Sequence, residues 1–99
     1  MQTFFVERYL PAGPDAGGDG SDRLRAAAER DRAAADAMTS AGAPVRHLQT
    51  IYVPGDETCF GLFAADSLDV VAEANRRAGL GFTRIVAAVL LPSDHRAIT

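Results

Sequence analysis

The order of strand-like and helix-like segments constrains this chain more tightly than any single motif. Thr3–Leu10 (TFFVERYL) is rich in aromatic and β-branched residues and predicts a strand. Residues 11–20 (PAGPDAGGDG) gather Pro and Gly and predict a flexible loop. Ser21 can cap a helix through LRAAAERDRAAADAMTSA that stops at Gly42. Arg25 with Glu29, and Arg32 with Asp36, are one turn apart and suit its exposed side. Val45–Val53 predicts a second strand, Pro54-Gly55-Asp56-Glu57 a turn, and Thr58–Ala64 a third strand hairpinned to the second. Asp66 or Ser67 can cap a second helix through Ala78, closed by Gly79. Arg84–Leu91 predicts the last strand, ended by Pro92 and a polar tail over 92–99. The order β-α-β-β-α-β is that of the ferredoxin-like split βαβ plait. It predicts an α+β single domain: a four-stranded antiparallel sheet with two helices on one face, its structured core within 3–91.

A sheet covered on one side should alternate apolar and polar residues. Here neighbours such as Phe4 and Phe5, Leu62 and Phe63, and Val89 and Leu90 are both apolar and point to opposite faces. Two helices cover one face, so the other needs a partner. A second copy, sheet against sheet with a cavity between, is the expected cover. A lone amphiphilic sheet open to water is the alternative.

Composition sets the remaining bounds. Ninety-nine residues make one domain, and 47% hydrophobic with 23% charged residues is ordinary globular composition. The net charge of −3 and a pI near 5.2 offer no positive field for nucleic acid or anionic lipid. No apolar run approaches the roughly 20 residues of a spanning helix, and the polar N-terminus does not read as a signal peptide. A cytoplasmic location is the expectation. The single Cys59 excludes an intrachain disulfide and a multi-Cys metal cluster. All ten basic residues are Arg, which excludes lysine Schiff-base chemistry and a P-loop lysine. GC-rich coding, rather than Arg-specific work, is the expected source of that bias and of the abundant Ala.

Candidate site residues come from side chains that sit awkwardly in their periodicity. In the second helix Leu68, Val71, Ala72, Asn75 and Ala78 share a stripe, so Asn75 falls on the core face. Its amide either bonds the backbone around Gly79–Phe82 or faces a ligand pocket. The first helix repeats the pattern with Leu24, Ala28, Asp31, Ala35 and Met38, and its buried carboxylate needs a partner. Arg8 is the plausible one. Strict alternation groups His47 with Val45, Gln49 and Ile51, and Glu7 with Phe5 and Tyr9. If both sets face the dimer cavity, a carboxylate, an imidazole and a phenol (Tyr9 or Tyr52) converge there, for acid–base work or an N/O-ligated metal. No H-x-x-x-H, H-E-x-x-H or catalytic-Ser motif is present. Cys59 has no basic sequence neighbour to activate it, and a buried inert thiol is the default. Gly17–Leu24 matches one calcium-binding nonapeptide repeat, which works only when stacked, and His95 falls in the polar tail.

The run Val6-Glu7-Arg8 resembles the first strand of a bacterial domain-of-unknown-function family that includes nickel-binding members. So do Thr58-Cys59-Phe60-Gly61-Leu62-Phe63, Glu73-Ala74-Asn75-Arg76-Arg77-Ala78-Gly79-Leu80 and Phe82-Thr83-Arg84-Ile85-Val86. The resemblance spans nearly the whole chain and implies a ferredoxin-like homodimer, with nickel as the metal. Ala74 stands where some relatives carry His, and His47 where an aromatic is frequent. The expected function is therefore a small homodimeric protein binding a small ligand or a metal. Glu7, His47, Asn75 and Tyr52 are the expected ligand contacts, with His47 and Glu7 as metal ligands. The alternative is a cofactor-independent isomerase, cyclase or oxygenase working in the cavity between sheets. A regulatory partner-binding domain is the third reading.

Overall fold

A computed structural model describes residues 1–11 and 21–91, the Ser21 side chain excepted. The element order is β1 (Gln2–Tyr9), α1 (Ser21–Ser40), β2 (Val45–Val53), a 3-10 turn (Pro54–Asp56), β3 (Thr58–Ala65), α2 (Leu68–Arg77) and β4 (Arg84–Ala88). The sheet runs β2-β3-β1-β4 with every adjacent pair antiparallel. This is the ferredoxin-like plait expected from the order of segments. β4 is shorter than expected, since Val89, Leu90 and Leu91 lie beyond it and are exposed. The expected loop beyond Pro11, the tail over 92–99 with His95, and the glycines of the calcium-like repeat lie outside the described residues.

The helices stop where backbone geometry makes them stop. Gly42 and Gly79 have φ of 98° and 72°, the left-handed region that glycine enters without Cβ strain. The Ala43 N–H donates to Met38 O at 2.9 Å, and the Leu80 N–H to Asn75 O at 3.1 Å. Each is the long bond of a Schellman close, satisfying a carbonyl the helix itself leaves open. At the start of α2, Ser67 Oγ accepts from the Val70 N–H at 3.3 Å, a cap worth about 1 kcal/mol.

Alternation along the two central strands sorts the sheet faces. Phe4, Val6 and Arg8 of β1, with Cys59, Gly61, Phe63 and Ala65 of β3, are buried under the helices. Ala35 and Met38 of α1 and Val71 and Ala74 of α2 close this core. Burying one such side chain contributes about 1.5–3 kcal/mol, which is why the pattern holds so strictly here. Thr3, Phe5, Glu7, Phe60, Leu62 and Ala64 point the other way and are only half-buried.

β2 breaks the alternation. His47 pairs with Phe63 and Gln49 with Leu62, so Leu48 is an extra residue in the ladder. Beyond this bulge the faces exchange. Val45 and His47 face the helices, and so do Thr50 and Tyr52, opposite Gly61 and Cys59. Gln49, Ile51 and Val53 face the open side.

Candidate functional site

Glu7 and His47 do not converge. Glu7 lies on the open face and accepts an ion pair from Arg84 Nε at 3.0 Å, its register partner on β4. His47 lies under α1, on the opposite side of the sheet, because the bulge at Leu48 separates it from Gln49 and Ile51. The imidazole stands 5.3 Å from the Phe63 ring and its Nε2 is 2.6 Å from Thr50 Oγ1. Burial pushes its pKa below the ordinary 6.5; nearby Asp31 opposes that shift, while Arg32 and Arg8 add to it.

Asn75 is completely buried, and both ends of its amide are engaged. Its Nδ2 donates to Val71 O at 2.8 Å, one turn back, and its Oδ1 accepts from Arg8 Nη2. The partners are thus Arg8 and the helix backbone, not the Gly79–Phe82 segment. Arg8 in turn donates from Nη1 to Asp31 Oδ2 at 3.0 Å, the pairing expected for the carboxylate on the apolar stripe of α1. At 3% and 1% exposure, both charges are out of water and are held by each other. Arg8 Nε has no hydrogen-bond partner among the described residues. Cys59 lies opposite Arg8 in the ladder; burial pushes its thiol pKa up, and the Arg8 guanidinium only partly offsets this. That is the inert thiol expected from its sequence neighbours.

The two phenols serve the end of β1. Tyr52 donates to Leu10 O at 2.8 Å from the helix-covered side. Tyr9, 65% exposed on the open side, donates to Glu57 Oε1 at 3.3 Å, and the Glu57 carboxylate pushes its pKa above 10.0. Expected ligand contacts are therefore distributed over three places: Glu7 on the open face, Asn75 in the core, His47 and Tyr52 along β2.

A cleft of about 360 Å³ opens between α1 and β2, lined by Leu24, Arg25, Ala28, Arg32, His47 and Thr50. Arg25 and Arg32 are exposed and have no ion-pair partner among the described residues, although Glu29 and Asp36 follow them by one turn. The sequence signal for this cleft was masked by those i,i+4 carboxylates, which read as salt-bridge partners.

The nickel implied by the family resemblance does not fit the side chains of one chain. Among the described residues no three His, Cys, Asp or Glu side chains gather as a metal would require, and Glu7 and His47 are on opposite faces. No helix among the described residues is long and apolar enough to cross a membrane.

No protein-family profile matches the chain, and no curated protein does. Among solved structures, the chain is similar to the crystal structure of SCO4226 from Streptomyces coelicolor A3(2), with a TM-score of 0.70 and 20% identity. The match covers 91% of this chain and 99% of the other. At that identity the likeness extends to the fold: an α+β ferredoxin-like domain.

Proposed function

We propose that this protein works as a homodimer, sheet against sheet, that binds a small molecule between the two open faces. The open face carries the reading. Phe5, Val53, Phe60 and Leu62 are half-buried there, and Ile51 and Val86 are exposed beside them. The Phe5 and Phe60 rings stack at 5.0 Å, and the Arg84 guanidinium lies over Phe5 at 6.0 Å.

A second copy suits this face better than an unlike partner. Four strands about 4.8 Å apart, averaging about 25 Å in length with β4 the shortest, present roughly 500 Å² in projection. That is somewhat more than half of the ~800 Å² each partner gives to a standard interface, and side-chain relief adds to it. Glu7 and Arg84 neutralise each other across the face, so two identical copies meet there with little like-charge repulsion; Arg46 is exposed near the end of β2, opposite Ala64. Packed sheets stand about 10 Å apart, and the Glu7–Arg84 pair with Tyr9 supplies the few polar groups that orient a bound molecule in an apolar site.

Native mass spectrometry of the purified protein tests both halves. The expected species is twice 10.4 kDa, carrying a small adduct that Phe60→Glu releases together with the partner. A monomer at micromolar concentration overturns the dimer, and a dimer without adduct removes the ligand.

A further inference from the structure

The cleft between α1 and β2 opens on the side of the sheet away from the proposed dimer face. We propose that it is a separate site for a small organic oxyanion, a carboxylate or phosphate group that Arg25 and Arg32 hold against the His47–Thr50 pair.

Arg25 and Arg32 are two helical turns apart, about 10 Å along α1, and both line the cleft. Neither guanidinium is spent on a carboxylate among the described residues; the ion pairs there join Arg8 to Asp31, Arg76 and Arg77 to Glu73, and Arg84 to Glu7. Asp31, the acidic residue just before Arg32, is turned into the core and paired with Arg8 rather than with either cleft arginine. Guanidinium groups pair well with planar or tetrahedral oxyanions because their donors form a fixed fork.

The opposite wall depends on the bulge. In a regular strand residues three apart face opposite ways. Leu48 brings His47 and Thr50 to one side, where Nε2 and Oγ1 bond at 2.6 Å. A neutral imidazole has one N–H and threonine one O–H, so their mutual bond leaves one hydrogen to donate, whichever tautomer is present. Leu24 and Ala28 give the cleft an apolar patch for a carbon skeleton, and about 360 Å³ suits a small metabolite. The proposal goes beyond the dimer reading and does not require it.

The test is titration of the full chain with inorganic phosphate and, separately, with succinate, followed by amide and side-chain NMR shifts. Saturable shifts at Arg25, Arg32, His47 and Thr50 are expected with at least one probe. Phosphate alone points to a phosphoryl group, and succinate alone to a carboxylate. The double variant Arg25→Gln, Arg32→Gln, changed only at exposed positions, should bind at least about tenfold more weakly. Its sedimentation should match the unchanged protein, which separates this site from the dimer face. No saturation with either probe overturns the proposal, as does equal affinity in the double variant.

Discussion

The Arg8 guanidinium meets the Asp31 carboxylate at 3.0 Å beneath both helices, and the same guanidinium donates to Asn75 of α2. β1, α1 and α2 are therefore tied at one buried point. Removing one partner of such a pair leaves a charge out of water with nothing to hold it. Arg8→Met should cost about 3–5 kcal/mol in urea unfolding. Arg8→Met with Asp31→Leu should recover much of that loss, since two apolar side chains leave no stranded charge. A double variant as unstable as the sum of the two single ones would show that the pair is not the reason Arg8 matters.

Asn75→Leu keeps the volume but removes the short-range acceptor of Arg8 Nη2, which is left with the 3.5 Å contact to Asp31 Oδ1, and the side-chain donor that adds to the helix bond on Val71 O. The expected loss is about 1–3 kcal/mol, measured by thermal or urea unfolding. A fall in ligand retention with no change in stability would move Asn75 from a structural role to the site.

Glu57 holds φ at 49°, a left-handed conformation that costs a residue with a Cβ about 1–2 kcal/mol. Glu57→Gly should raise stability by a part of that, offset by the loss of its surface contacts. The same change removes the carboxylate that pushes the Tyr9 phenol up, so that Tyr9 should titrate closer to 10.0 by ultraviolet absorbance. An unmoved Tyr9 would place the cause elsewhere.

Burial holds the folded His47 pKa below 6.5, so between 6.5 and that lower value the unfolded chain binds more protons than the folded one. Stability is therefore full above about pH 6.5 and is lost as pH falls through the folded value. His47→Phe should flatten this part of the stability profile. A His47 resonance titrating above 6.5 in imidazole NMR would reverse the sign.

Local residues made most of the plait legible. Ser67 caps α2 as expected, Gly42 and Gly79 close the helices, and Pro54-Gly55 turns the chain between β2 and β3. The Arg8–Asp31 pair was legible for the same reason, because a carboxylate on an apolar helical stripe needs a cation. The face of His47 was not. A two-residue period carries no mark of an inserted residue, and nothing about Leu48 as a residue type announces a bulge. One added residue moved His47 away from Glu7 and toward Arg32. The arginines of the cleft were hidden by the opposite error, in which spacing suggested salt bridges that the side chains do not form.

The bulge in β2 also bears on how large an assembly of this chain can become. β2 and β4 are the sheet's two rims, and a strand from another molecule adds best to a rim with a long, unbroken row of N–H and C=O groups. Leu48 interrupts that row on one rim, and among the described residues the other offers the five of Arg84–Ala88. Side-by-side growth into ribbons is discouraged at both ends, whereas the stacking proposed for the broad face would end once a single partner had covered it.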